Sequence, residues 1–382
     1  MAGSLEGIKV LDLSRVLAGP FCSMLLADLG AEIIKVEQPG VGDDARAFSP
    51  FIGSESAYFM SLNRGKKSVT LDLKDDKDKE IFWELVKRVD VIIENYRPGT
   101  MEKLGLSYDK IADVNPRIIY TAVSGFGHTG PYSQLPAYDM IVQAMGGIMS
   151  ITGEKDRPPV RVGTSIGDIT AALFATVGIL AAINSRHTTG KGQMVDVAML
   201  DSQIAILENA IVRYETSSKI PEPLGTRHPS IVPFQAFPTK DYYVIISVGN
   251  ENIWSKFCQV MGLGKYYDDS RFKTNKDRVD NVIKLEEIIS SVTITKTSQE
   301  WLEILREVGI PVATINTIDK VVKDPQVLAR NMIIELEHPI GGKMKIPGNP
   351  IKMSLTPPVI DTPAPLLGEH NSWLLNEFLK KE

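Results

Sequence analysis

The residues best placed to do chemistry lie in one stretch, residues 160–184, which reads VRVGTSIGDITAALFATVGILAAIN. A glycine-rich turn, Gly163-Thr-Ser-Ile-Gly167, delivers a single carboxylate, Asp168, and an almost uninterrupted apolar helix is expected over 169–183. That helix has no polar face to offer water, so its place is the core. Asp168 then stands where a loop meets a buried helix, and two readings are open. Aspartate is among the best N-cap residues, because its carboxylate accepts the free amide hydrogens of a first turn. Those amides also stabilise negative charge, and flanking glycines let a bulky substrate approach. A carboxylate held in that way can attack an activated acyl group as a covalent nucleophile.

Other constellations are less pointed. Gly125-Phe-Gly127-His-Thr-Gly130 spells the dinucleotide fingerprint after an expected strand. Pro131 follows it, however, and no helix is expected there to hold a pyrophosphate. A glycine-rich active-site loop is the better reading, with His128 either an acid/base or a surface residue. Two basic clusters follow strands: Arg64, Lys66 and Lys67 with Lys74 nearby, and Arg97 and Lys103 beside Asn95. Such charges are usually solvated surface, but at the open ends of parallel strands they make a polyphosphate site plausible. Neither is a Walker A loop, no GxSxG elbow occurs, and the five histidines have no metal-ligand spacing.

The elements that must position these groups alternate. Strands are expected at 8–13, 31–36, 68–73, 91–94, 117–124 and 193–198, with helices at 22–29, 77–89, 108–115 and 200–214, and a turn at 18–20. That alternation predicts a doubly wound, mostly parallel α/β sheet. A proline-rich stretch at 217–238 interrupts it. A smaller α/β unit follows, with a strand at 242–248, helices at 253–261, 282–292 and 298–308, and a short strand at 312–314. Strand-like pieces from 333 and a helix at 371–379 end the chain.

Composition narrows the classes. The chain has 382 residues, 43% hydrophobic and 23% charged, with a net charge of −5. It is large enough for two domains, and its acidity argues against a broad nucleic-acid surface. Two cysteines, Cys22 and Cys258, suggest a reducing compartment. No secretory signal is visible, and the longest apolar run, about 15 residues, is short of the roughly 20 that span a bilayer. A cytoplasmic protein without membrane or nucleic-acid partners is expected.

Segment by segment the chain resembles the class III CoA-transferase family, of which formyl-CoA transferase is the type. The likeness runs from GIKVLDLSRVLAGPFCSMLLADLGAEIIKVEQPGVGD through NRGKKSVTLDLK, DVIIENYRPG, NPRIIYTAVSGFG and AYDMIVQAMGGIMSITG. It continues through VGTSIGDITAALFATVGILAAI and TGKGQMVDVAMLDSQ to PLLGEH. The resemblance implies that Asp168 is the nucleophile, carrying first an acyl anhydride and then a CoA thioester. The glycine turn around Gly167 would then supply donors to the oxyanion. CoA contacts would fall on Arg15, Val16, Ala18, Leu71, Asp72, Lys74, Asn95, Tyr96, Arg97, Lys103, Ala137, Tyr138 and Asp139, with Tyr58, Tyr138 and Gly167 beside the small acid. Coenzyme A would be a cosubstrate, with no resident cofactor and no metal.

The resemblance also implies an intertwined homodimer. It places a large Rossmann-like domain at 1–200 and 321–382, a linker at 201–224 and a small α/β domain at 225–320. Three departures bear on the substrate. Position 38 is Gln38 where arginine is common, position 136 is Pro136 where a basic residue stands, and GTRHPSIVPFQAFPTKD replaces a run of glycines. A dicarboxylic acid of the succinate type is therefore expected rather than formate or oxalate. Two rivals are an α-methylacyl-CoA racemase, whose second base would be a histidine where Tyr138 stands, and a non-catalytic CoA-binding protein.

Overall fold

In the computed structural model, which describes residues 3–380, the chain divides into two compact units. One comprises residues up to Met149, Arg161–Lys219 and everything from Pro325. The other comprises Ser150–Val160 and Ile220–Asp324.

The first unit is built on β1 (Lys9–Asp12), α1 (Ala18–Asp28), β2 (Glu32–Glu37), β3 (Lys66–Thr70), α2 (Asp76–Val86), β4 (Val91–Glu94) and β5 (Ile119–Ser124). To these are added α3 (Asp139–Met145), α4 (Ile166–Thr189), β6 (Met194–Ala198) and α5 (Met199–Ala205). The strands form one six-stranded sheet in the order β3-β2-β1-β4-β5-β6, and every pair is parallel. The α/β parallel sheet expected from the alternation is thus present. Its central strands β1, β4 and β5 are almost wholly buried because helices cover both faces. One core holds α1 and α4 against the sheet; the other holds α2 and the C-terminal turns. The strand order reverses between β1 and β4, and ligands of such sheets bind beyond the carboxyl ends at that reversal.

Three local expectations need correction. The turn expected at 18–20 is the first turn of α1, where Pro20 sits without cost because a first-turn amide has no helical partner. The single helix expected at 200–214 is two, α5 and the helix Ala210–Ser217. The apolar helix is longer than expected: α4 has 24 residues and, by length and composition alone, could cross a bilayer. One side of it packs on α1, β5, β6 and α5, as in a core helix. On the other side Leu173, Phe174 and Val177 are 46%, 43% and 63% exposed.

The second unit has a three-stranded antiparallel sheet, with Tyr243–Ser247 between Val312–Thr314 and Phe234–Pro238. Helices Glu251–Val260, Val282–Thr293 and Ser298–Glu307 close its core around Trp254, Phe257 and Trp301. Thr297 and Glu300 form a reciprocal capping box that fixes where the last of these helices begins.

Candidate active site

Two adjoining cavities open at the carboxyl ends of β1 and β4, at the reversal of strand order. The smaller, about 300 Å³, is floored by Lys35, Glu37 and Asp43 and walled by Gln38, Leu71, Asp72, Lys74 and Leu104. The larger, about 460 Å³, has Asp168 in its lining. Arg15, Tyr96 and Thr100 line both, so together they make one trench. Of the residues expected to contact CoA, Leu71, Asp72 and Lys74 line the smaller cavity. Val16, Ala18, Asn95, Arg97, Ala137 and Tyr138 line the larger. Lys103 lines neither, although its helix, Thr100–Lys103, contributes Thr100 to both. Gln38, the departure noted in sequence, stands on the wall of the smaller cavity.

Asp168 is not the N-cap. The helix starts at Ile166 with Ser165 as its cap, so Asp168 is the third helical residue, inside the first turn. The first-turn amides favour its charged form, yet the environment wins the other way. Burial, and then the nearby charge of Asp139, push its carboxyl from 3.8 up to about 7. Tyr58 belongs to the same neighbourhood: burial and then the charges of Asp168, Asp43 and Asp139 push its phenol up to about 12.

Asp139 and Gly167 are hydrogen-bonded to each other. Asp139 opens α3 and is buried; its Oδ1 accepts the Gly167 N–H at 2.8 Å and its Oδ2 accepts from Gln143 Nε2 at 2.7 Å. Gln143 Oε1 in turn accepts the Val162 N–H at 2.9 Å. The two side chains pin the loop that leads to Asp168 from both sides. The Gly167 amide is therefore engaged by Asp139. Glycine is needed there for space: a Cβ would lie 2.7 Å from Val142 Cγ2 and 3.1 Å from Asp139 Oδ1.

The first basic cluster is also reassigned. Lys66 is the first residue of β3, at the end of the strand away from the trench, and its side chain is fully buried against Asp12, Nζ to Oδ2 3.1 Å. Arg64 clasps Asp28 with two hydrogen bonds of 2.9 and 2.7 Å, and Lys67 pairs with Glu32. Only Lys74 of that group reaches a cavity. Against the pull of burial, Lys66 and Lys35 hold the Asp12 carboxyl well below the usual carboxylate range. Lys66→Ala would leave that buried carboxylate short of a partner. The expected cost is about 3–5 kcal/mol, read as a lower denaturant midpoint with the m-value unchanged.

Sequence reasoning missed Glu94, the last residue of β4. It is buried; its Oε2 accepts the Tyr96 N–H at 2.7 Å and its Oε1 the Tyr120 hydroxyl at 3.2 Å. Burial first, then the charges of Glu102 and Asp196, lift its carboxyl to about 7. His128 Nε2 lies 3.8 Å from Glu94 Oε1, and its backbone N–H donates to Asp196. The glycine loop thus reaches the trench through Ser124 and Gly125, while His128 turns to Glu94. Among the described residues no cluster of three or more histidine, cysteine, aspartate or glutamate side chains could hold a metal ion.

The sequence profile of CoA-transferase family III matches residues 5–371. The chain belongs to CoA-transferase family III. Among curated relatives, this family III chain is 42% identical to the succinyl-CoA:glutarate CoA-transferase of Homo sapiens, over 98% of its own length and 86% of the relative's. It is 41% identical to the acetyl-CoA:oxalate CoA-transferase of Acetobacter aceti, over 100% and 97%. It is 40% identical to the succinyl-CoA:mesaconate CoA-transferase of Haloarcula hispanica, over 98% and 96%. Among solved structures, a CAIB/BAIF family protein from Brucella suis superimposes with a TM-score of 0.88 at 38% identity, covering 99% of this chain and 100% of that one. The chain is accordingly an enzyme of this CoA-transferase family, with a CoA thioester as cosubstrate.

Proposed function

We propose that the enzyme moves CoA from a dicarboxylic acyl-CoA, such as succinyl-CoA, to a second dicarboxylic acid, with Asp168 as the covalent carrier. The observation that carries this reading is the half-buried carboxyl of Asp168 in the lining of the larger cavity, pushed up to about 7. Raised basicity makes a carboxylate a better nucleophile, and burial keeps water from the acyl intermediates. The relatives named for glutarate, oxalate and mesaconate favour dicarboxylic acids. They include oxalate, so the length of the acid stays part of the proposal: four or five carbons.

In this scheme the Asp168 carboxylate attacks the thioester carbonyl, the C–S bond breaks, and CoA leaves as thiolate. The thiolate then attacks the aspartyl carbonyl of the mixed anhydride and expels the donor acid as its carboxylate. The acceptor carboxylate attacks the aspartyl-CoA thioester and frees the thiolate again. Attack of that thiolate on the acceptor acyl carbon restores Asp168. No proton or electron is gained or lost overall. Arg15, Arg97 and Lys74 are the trench cations suited to the phosphates of CoA.

We also read the enzyme as a homodimer, because the outward side of α4 and its neighbours on α3 and α5 expose Met140, Ile141, Met145, Phe174, Val177 and Ile204. Patches of that kind mark interaction surfaces. Cys22 and Cys258 are both unpaired and buried, in keeping with the reducing cytoplasm we assign to it.

The test is a panel of acyl-CoA donors and carboxylic acids read by mass spectrometry, with hydroxylamine trapping of the enzyme-bound acyl group. Succinyl-CoA with a four- or five-carbon diacid should turn over fastest, and activity confined to monocarboxylic acids would refute the assignment. A pH profile tests the carrier itself. Only ionised Asp168 attacks, so kcat/KM should rise about tenfold per unit below pH 7 and level off above it. A flat profile between pH 5 and 8 contradicts the role.

A further inference from the structure

The turn joining β1 to α1 is held in a conformation that its residues do not favour. Val16 has a φ of +67°, left-handed backbone that a β-branched side chain rarely adopts. Such a residue persists only where its surroundings over-determine it. Here they do. Lys35 Nζ donates to the Ser14 carbonyl at 2.8 Å. Asn95 brackets Arg15, accepting from its N–H at 2.8 Å and donating to its carbonyl at 2.7 Å. Asp43 Oδ1 accepts the Val16 N–H at 3.0 Å and the Ala45 N–H at 2.9 Å.

Asp43 is itself locked. Its Oδ2 lies 2.9 Å from Lys35 Nζ, both side chains being almost wholly buried, and its N–H donates to Glu37 Oε2 at 2.9 Å. Burial alone would raise its carboxyl. Lys35 and the two backbone donors hold it below the ordinary value instead, so it is charged at neutral pH. A buried ion pair is weak evidence for stability; this one fixes the carboxylate that serves both Val16 and Ala45. The residues that follow, Val16, Leu17 and Ala18, line the same cavity as Asp168.

We propose that Asp43 is a positioning residue for acyl transfer: it holds Val16 left-handed and so fixes the cavity wall at Val16–Ala18 relative to Asp168. The proposal rests on Asp168 being the acyl carrier. Its role is to set the geometry in which the acyl carbon meets that carboxylate. Small displacements of such a wall cost large factors in rate, because attack requires a near-attack geometry.

The test compares wild type with Asp43→Ala, Asp43→Asn and the double variant Asp43→Ala/Val16→Gly. For each, succinyl-CoA turnover is measured beside the single-turnover rate of Asp168 acylation, trapped with hydroxylamine and counted by mass spectrometry. Asp43→Ala should slow acylation and kcat about 10- to 100-fold while KM for succinyl-CoA moves less than threefold. Asp43→Asn, which still accepts the Val16 N–H but loses the charge pair, should fall about 3- to 30-fold. Adding Val16→Gly to Asp43→Ala should recover at least half of the lost rate on a logarithmic scale, because glycine takes a positive φ unaided. A purely structural Asp43 would lower the melting temperature and leave the acylation rate of the folded fraction alone, and it would not be rescued by glycine. Either of those results overturns the proposal. If Asp43→Ala does not fold, Asp43→Asn decides on the same measure: acylation at the wild-type rate is refuting. A wild-type enzyme that never labels Asp168 sinks the carrier reading and this proposal together, whereas normal labelling with an indifferent Asp43 sinks this proposal alone.

Discussion

Asp168→Ala is expected to lower CoA transfer by about 10⁴-fold or more, to leave CoA binding within a few-fold, and to abolish hydroxylamine-sensitive labelling of the enzyme. The argument is one of position: the other carboxylate lining the larger cavity, Asp44, is held by Arg15 Nη1 at 3.0 Å. Asp139 cannot stand in, because both of its oxygens are committed to Gly167 and Gln143. The same residue predicts an opposite effect on stability. With a carboxyl at about 7 in the folded enzyme against 3.8 otherwise, the unfolded chain alone loses its proton between those values. Stability therefore falls as pH rises through that window and stays lowered above 7. Asp168→Asn removes the charge with its shape kept. It should melt several degrees above wild type at pH 8, equivalent to at most about 4 kcal/mol, and show no advantage near pH 4. An active alanine variant, or an asparagine variant less stable than wild type at pH 8, would contradict the site assignment.

How far these features could be read from the chain depended on whether they were local. The central strand β4 was legible because Val91-Ile-Ile93 is a continuous apolar run, which declares a strand buried on both faces. Asp168 was legible because a lone acid stands between glycines and a greasy helix. Its exact station was not: Ser165 is the cap-type residue two places before Gly167, and it marks the true start of α4. Lys66 was misassigned because a basic residue beside a strand reads alike at either end, while only the carboxyl end faces ligand. What could not be read at all are pairings over long separations. Asp43 with Val16, Lys35 with Ser14, and Gln143 with Val162 join residues 19 to 27 positions apart, and nothing in their local sequence names the partner. Glu94 left only a faint signal, a charged residue ending the apolar run Val91-Ile-Ile beside Asn95.

Val177→Glu is expected to turn the proposed dimer into a monomer and to cost most of the activity, although Val177 does not line the trench. The rule that an all-apolar helix must be buried meets an exception in the single chain, where Val177 is 63% exposed and Leu173 and Phe174 stand beside it on the same side of α4. A second copy covering that side would resolve the exception, and a buried unpaired glutamate would then be intolerable. Activity is tied to the same surface because α3 exposes Met140, Ile141 and Met145 on one side and from its other side presents Asp139 and Gln143 to the loop before Asp168. An α3 left without its cover loosens that clamp, so transfer should fall at least about 30-fold per folded chain, with the secondary structure unchanged by circular dichroism. Light scattering behind size exclusion reads the mass directly. Val177→Ala, which trims the side chain without charging it, should keep the dimer. A wild-type protein that is monomeric at micromolar concentration, or a fully active Val177→Glu dimer, would show that α4 faces water by design and that its apolar side has some other use.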